Sequence, residues 1–505
     1  MSERKKGAAL ALVAAGVYAA IAFFTTPVLV AAFGLDGFGR YSLALSVLAA
    51  FMLFDGGLTQ AFVRFAVRHR EDGPPSLAAF LGRVLPLYGV AVAALLGCAL
   101  GAAALLGEAA EGMGVLLSLA LAGAACAILA NPFRATMVAS ERFVAARTIE
   151  IAAAVVTAAG SITVALTGGG PTGAMAVVTA GMAGLAVTRI FYVLFVLELR
   201  PRPATMERSE RRALMAFAAP IFLSLLIEAL YWRIDILVVG AMLGPASVAI
   251  YAVALMVQKH MMRLSGAFSR VMIPETIRKV DAGADGKALA RALAAVGRVQ
   301  AIALGLVLIA ICAFGDAFFA LWLGEAFRAS FVPLVVVLVP YCIDEVGNLR
   351  NVVLQTKGLF WAKALQSLLI ALANLAATVA LIPVFGIVGA ASATACGLMA
   401  GLAASNWLLA RRAGFEVALF YRTVAVRVAP TLVVATLWAA MIDSLAAESW
   451  AGLFAATIVY GVGAACSIWV LSLREAERAA VRSRAAGAAR SALATLSAMG
   501  GLRLR

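Results

Sequence analysis

Apolar runs of about 20 residues recur from one end of the chain to the other, each long enough for a helix to cross a bilayer. About fourteen can be placed, centred roughly on residues 21, 52, 94, 125, 158, 187, 229, 258, 306, 343, 372, 398, 435 and 461. The polar connections between them alternate in kind. One set is short and poor in basic residues (GLDGFGR, GEAAEG, TGGGPTG, LGP, IPVFG, DSLAAES), with only the stretch at 315–331 longer. The other set is longer and basic, at 64–83, 139–150, 198–215, 275–298, 356–363 and 410–427. This pattern predicts an all-α polytopic membrane protein with about 14 transmembrane helices.

Composition agrees. The chain is 64% hydrophobic and 13% charged, whereas soluble domains are about half apolar and a quarter charged. Most of the 41 Lys and Arg fall in alternate connections or at the termini, with Arg40 and Arg328 in the opposite set. That is the positive-inside distribution, which predicts cytoplasmic termini and an even number of spans. The net charge of +15 is therefore topological, and no nucleic acid is expected as a partner. The start MSERKK followed by apolar 7–33 reads as an uncleaved first span, too long for a signal peptide's core.

Two segments echo each other at a fixed offset. PVLVAAFGLDGFGRYSLALSV at 27–47 and RIDILVVGAMLGPASVAIYAVALMV at 233–257 each run from an apolar span through a Gly-containing turn to a Tyr-led span. Gly56 and Gly266 keep the same spacing from Tyr41 and Tyr251. A second, fainter echo at an offset of 216 sets Arg134, Arg147, Gly170, Gly173 and Gly181 against Arg350, Lys363, Gly386, Gly389 and Gly397. The strongest linker signal, ELRPRPATMERSERR at 198–212, divides six spans from the next six. The expected organisation is two pseudo-symmetric six-helix lobes, 1–200 and 213–410, joined by a cytoplasmic linker at 201–212. Two C-terminal helices at 424–472 and a basic cytoplasmic tail at 473–505 complete it. The tail reads either as a helix on the anionic inner leaflet or as a frayed soluble segment.

LVAAFGLDGFGRYSLALSV, FDGGLTQAFVRF at 54–65, RIDILVVGAMLG with IYAVALMV, and ALWLGEAFRASFVPLVVVL at 320–338 carry a family resemblance. Together they resemble the polysaccharide-transporter branch of the multidrug/oligosaccharidyl-lipid/polysaccharide exporter superfamily. The resemblance implies two six-helix lobes around a central cavity. It also implies flipping of an undecaprenyl-diphosphate-linked glycan across the bacterial cytoplasmic (inner) membrane, for O-antigen or exopolysaccharide assembly. Membrane lipids and polysaccharide polymerase machinery are the implied partners. Lipid II flippases carry charges in the first span, and GAALALVAAGVYAAIAFFTTPVLVAAF has none. The alternative is a cation-coupled multidrug antiporter of the same fold.

Charges at bilayer depth are costly and need partners or a wet cavity. Lys259, Arg263 and Arg270 of the eighth span fall within about 40° of one another on a helical projection. That stripe could hold a diphosphate through charge-assisted bonds; it could equally neutralise acids on neighbouring helices. Arg189, alone in the sixth span, could reach the cavity or snorkel. Tyr341, Asp344, Glu345 and Asn348, with Asn351 and Gln355, form a polar stripe on the tenth span that suits sugar or water, with Arg350 pointing away from it. Glu228, Asp235 and Asp55 are acids able to couple transport to an ion; for Asp235 and Asp55 a fixed packing or salt-bridge role is the other reading. His69 falls in a basic loop and is expected to be solvated.

No cofactor is expected, with H+ or Na+ coupling left open. The six cysteines lie inside spans without ligand spacing, so neither a disulfide nor a metal site is expected. With two His, no metal spacing and no outer domain, an enzyme is not expected, and a passive scaffold would lack the intramembrane charges.

Overall fold

The computed structural model describes residues 3–106, 112–202, 204–443 and 449–473, and beyond them 475, 477–479 and 482–483. Inside a bilayer the backbone must satisfy its own hydrogen bonds, and the described chain does so with helices throughout. They are α1 Glu3–Met52, α2 Gly56–Glu71, α3 Pro74–Leu106, α4 Met113–Ala139, α5 Phe143–Leu166, α6 Gly170–Phe191 and α7 Arg208–Leu243. Then follow α8 Pro245–Asp281, α9 Gly286–Leu323, α10 Phe331–Val346, α11 Leu349–Thr356, α12 Phe360–Ala413, α13 Val417–Ile442 and α14 Trp450–Ser467.

Eleven stretches among the described residues are long and apolar enough to span a membrane. Two of them are double. α1 breaks at Gly34, which is non-helical, and α12 breaks at Gly386. In α12 the chain folds back on itself: Lys363 bonds Ser405, Gln366 bonds the Gly401 carbonyl, and a Cβ on Gly389 would overlap the Leu381 carbonyl. The spans thus number thirteen, and α8, whose apolarity is diluted by Lys259, His260 and Arg263, completes the expected fourteen. Large apolar side chains such as Leu100, Val156, Val384 and Met441 stay exposed, as lipid-facing positions should. α4 is different: half its spanning window is buried, through Ala120, Ala124, Ala127 and Ala130, whose small side chains let helices approach closely.

The duplication is visible in the backbone itself. Left-handed residues occur in matched order: Gly34 with Gly244, Gly73 with Gly283, Gly112 with Gly324, Glu141 with Gly358, Gly170 with Gly386, and Glu198 with Gly414. Each pair marks the same inter-helix connection in its half. The first pair repeats both dihedrals, φ 67° and ψ −179° at Gly34 against φ 81° and ψ 176° at Gly244, a region essentially confined to glycine. The two pseudo-symmetric six-helix lobes are real, and α13 and α14 lie outside the repeat.

Compactness divides the chain differently. One unit comprises residues 1–266, 322–341 and 358–405; the other comprises 267–321, 342–357 and 406–505. None of these boundaries falls at 201–212, so the lobe boundary there rests on the repeated backbone alone. In the first unit, the connection between α6 and α7 lies on α3, with a Cβ on Gly82 overlapping the Arg202 carbonyl. The expected linker is shortened because α7 already starts at Arg208. His69, expected in a solvated loop, sits instead on α2. It stacks on Phe80 at 4.5 Å, bonds Ser76 at 2.9 Å and lies 3.5 Å from Glu210. In the second unit, α13 and α14 pack on α9 through Phe314 and Tyr460, whose hydroxyl donates to the Leu306 carbonyl at 2.8 Å. Most of the tail 473–505 lies outside the described residues.

Candidate functional site

The first lobe encloses a cavity of about 590 Å³, within the range of small-molecule sites. Its polar lining includes Tyr18, Tyr41, Asn131, Arg134, Glu150, Thr157, Ser161 and Arg189. Glu150, two turns into α5, accepts from three guanidinium groups. Arg134 of α4 donates at 2.9 Å, Arg147 of α5 at 2.8 Å and Arg189 of α6 at 2.7 Å. Arg147 and Glu150 share a face because they stand three residues apart on one helix. Tyr18 lies within the electrostatic reach of Glu150, Arg147, Arg189 and also Arg263.

Asp55 sits at the break between α1 and α2, buried at 4% exposure. It accepts from Thr59 at 2.7 Å and from Asn131, and Thr59 continues to Tyr88 at 3.2 Å. Asn131 also lines the cavity, so it joins this carboxylate to it. The second oxygen of Asp55 is buried without a partner.

Asp235 is 3% exposed and accepts from Thr394 and, at 3.4 Å, from Thr378, both on α12. The fully buried Tyr251 stands beside this group. Asn374 lies one turn from Thr378 on the same face, buried, with neither amide atom paired. No ion pair to Asp235 exists among the described residues, so the fixed salt bridge considered for it is not what the structure holds. Glu228 is exposed, with Arg233 as its charged neighbour.

Lys259 and Arg263 are both exposed side chains of α8. Lys259 faces the like charges of Arg233 and Arg263. No acid pairs with either residue among the described residues. The side chain of Arg270 lies outside the described residues.

The polar stripe expected on the tenth span is broken. α10 ends at Val346 and α11 begins at Leu349, so Gly347 and Asn348 interrupt the helix that would have aligned it. Asp344 pairs with Arg350, which also donates to the Asp344 carbonyl at 2.8 Å. Arg350 therefore does not point away from the stripe. Glu345 accepts from Asn348 at 3.1 Å. Tyr341 is buried beside Trp232, ring centroids 6.2 Å apart.

Of the expected site residues the structure brings Arg189 to the cavity and Arg263 near it. Glu150, Arg147, Asn131 and the Thr378–Thr394 pair carry polar contacts that residue-by-residue reading passed over. The echo at 216 already marked Arg134 and Arg147, and Glu150, the acid a turn beyond Arg147, was the missing signal.

The family described as polysaccharide biosynthesis protein matches residues 5–278, more than half of the 505 residues. A search of curated proteins by sequence returned no match. Solved structures share the fold at low identity. One, the lipid II flippase MurJ in an inward closed conformation, superposes with a TM-score of 0.65 and 12% identity, over 92% of this chain and 98% of its own. An inward-facing multidrug resistance MATE family transporter of the MOP superfamily gives 0.61 and 14%, over 78% of this chain and 95% of its own. A MOP superfamily transporter from Pyrococcus furiosus gives 0.52 and 14%, over 89% and 98%. The fold is that of MOP superfamily transporters, and the chain belongs to the polysaccharide biosynthesis protein family.

Proposed function

We propose that this protein is a flippase that carries a polyprenyl-diphosphate-linked oligosaccharide across the bacterial inner membrane, for O-antigen or exopolysaccharide assembly. Its termini lie in the cytoplasm, and polysaccharide polymerase machinery receives the product. The observation that carries this reading is the chemistry of the 590 Å³ cavity: guanidinium groups line it, and Arg263 lies within reach of its Tyr18. A cationic, hydroxyl-rich chamber favours an anionic sugar-bearing head group, through bidentate Arg contacts to phosphate. The same chamber repels the hydrophobic cations that a multidrug antiporter of this fold would carry.

Transport proceeds by alternating access of the two lobes around a fixed site. Arg189 takes part in holding the diphosphate, the unpaired cations Lys259 and Arg263 attract the anionic head group, hydroxyl and amide groups take the sugars, and the polyprenyl tail stays in lipid. Asp235, with Thr378, Thr394 and the unpaired Asn374, is where a coupling cation would sit. A buried carboxylate that has hydroxyl donors but no basic partner favours a proton or a bound cation. The group translocated is unchanged chemically, so no catalytic step is needed.

The test is reconstitution into liposomes with a polyprenyl-diphosphate-linked sugar on one leaflet, followed by its exposure to a membrane-impermeant sugar oxidant. Expected is protein-dependent exposure of the sugar. Transport of hydrophobic cations with no exposure of the lipid-linked sugar would sink the flippase reading in favour of the antiporter.

A further inference from the structure

The Glu150 cluster has a second copy, which lacks the acid and the sixth-span arginine of the first. Gly170 and Gly386, and again Glu198 and Gly414, fix the register at 216 on either side of Arg189. Arg189 therefore corresponds to Ser405, Glu150 to Gln366 and Arg147 to Lys363. In the second lobe these three groups meet as they do in the first. Lys363 donates to Ser405 at 2.8 Å and Gln366 donates to Ser405 at 2.9 Å. Ser405 is fully buried. That junction is thus held by one ammonium, an amide and a hydroxyl, and packing alone requires neither the carboxylate of Glu150 nor the guanidinium of Arg189 at that place.

In the first lobe three guanidinium groups share one carboxylate, leaving a net of two positive charges beside the cavity. Each guanidinium gives Glu150 a single hydrogen bond, so most of their donors remain available. Arg189 is 4% exposed, and its Nε is buried with no partner at all. Burying an unpaired charged donor is costly. A diphosphate diester carries one negative charge on each phosphate and presents several acceptor oxygens. It matches both the charge excess and the empty donor.

Resting on the flippase reading, we propose that Arg134, Arg147 and Arg189 are the seat of the substrate's diphosphate, and that Glu150 occupies this seat when substrate is absent. Loading exchanges the carboxylate for the diphosphate, and release lets Glu150 return. The intramolecular anion keeps the arginines oriented and neutralised in the empty protein, and it weakens binding enough for the head group to leave. The second lobe, with Gln366 and Ser405, has no such seat.

The experiment measures binding of a short-chain polyprenyl-diphosphate sugar to the full chain in nanodiscs, with inorganic pyrophosphate and the matching polyprenyl monophosphate as competitors. Glu150→Gln should bind the diphosphate lipid roughly five- to tenfold tighter and release it more slowly, because the competing anion is gone. Arg189→Gln should weaken binding at least about tenfold, with partial recovery in Arg189→Lys. Arg134→Gln and Arg147→Gln, both at half-exposed positions, keep the question decidable if the buried variants do not fold. Pyrophosphate that competes better against wild type than the monophosphate does supports the seat. Unchanged or weaker binding in a folded Glu150→Gln, or unchanged binding in Arg134→Gln and Arg147→Gln, would overturn it. If those null results come with intact sugar flipping in liposomes, the seat fails and the flippase reading stands. Absence of any lipid binding or flipping by wild type would overturn both.

Discussion

Gly39 and Pro245 meet backbone to backbone: a Cβ on Gly39 would overlap the Pro245 carbonyl oxygen. Gly39 belongs to the first of the two echoing turns, and Pro245 opens α8 directly after the second, at Gly244. Because the obstacle is backbone, no side chain can swing aside. Gly39→Ala should therefore push the second and eighth spans apart and cost about 1–3 kcal/mol, the usual range for overpacking. The measurement is the melting temperature in detergent, with Gly97→Ala as control, since nothing lies within 4 Å of a Cβ there. Equal melting of Gly39→Ala and wild type would show that these turns do not touch.

Glu198 is an exposed residue held at φ 55°, and its counterpart after the twelfth span is Gly414 at φ 66°. A left-handed conformation costs an L-residue roughly 1–2 kcal/mol, part of which glycine returns through the greater entropy of the unfolded chain. Glu198→Gly should raise stability by up to about 1 kcal/mol, while Gly414→Ala should lower it by a similar amount. A thermal shift of the same sign in both variants would contradict the pairing of these two positions.

How much was legible follows from which interactions are periodic. The spans, their fourteenfold count and the duplication were readable because apolar length and turn glycines are local signals: Gly34, Gly244 and Gly386 stand at helix breaks that the pattern marked as turns. The arginines at 134 and 147 are marked by the repeat but not as a site, since nothing local shows that Glu150 receives both of them together with Arg189, 39 residues away. The tenth-span stripe failed for the converse reason. A helical projection assumes an unbroken helix, and Gly347 with Asn348 ends α10 in the middle of the stripe. Asp235 was visible as an intramembrane acid, but its threonine partners lie 143 and 159 residues downstream.

The second-lobe copy of the cluster makes its own prediction. Ser405 is the fully buried acceptor for both Lys363 and Gln366. Ser405→Ala removes the buried acceptor shared by the Lys363 ammonium and the Gln366 amide, a loss of about 1–3 kcal/mol. Gln366→Glu supplies a carboxylate beside Lys363 and should recover much of that loss when combined with it. A double-mutant cycle on melting free energy reads the coupling directly, and additive effects would mean that the two positions do not share the Lys363 charge.

Asp235 offers the sharpest ionic test. Its carboxylate is buried among the hydroxyls of Thr378 and Thr394, no Lys or Arg pairs with it among the described residues, and Asn374 leaves a carbonyl oxygen and an amide unpaired one turn away. A carboxylate, two hydroxyls and an amide oxygen form the all-oxygen set that a hard cation prefers. A ligand that binds only the folded state stabilises it by about 2.7 kcal/mol at a hundred times its dissociation constant. Sodium chloride at a fixed ionic strength, against choline chloride, should therefore raise the melting temperature of wild type and leave Asp235→Asn unmoved. Asn374→Leu should reduce the sodium effect while preserving the fold, because it removes an oxygen and not the charge. If wild type and Asp235→Asn respond to sodium alike, the cation site is lost. If neither responds but lowering the pH stabilises wild type alone, the buried carboxylate carries a proton, and coupling runs through H+ at the same residue.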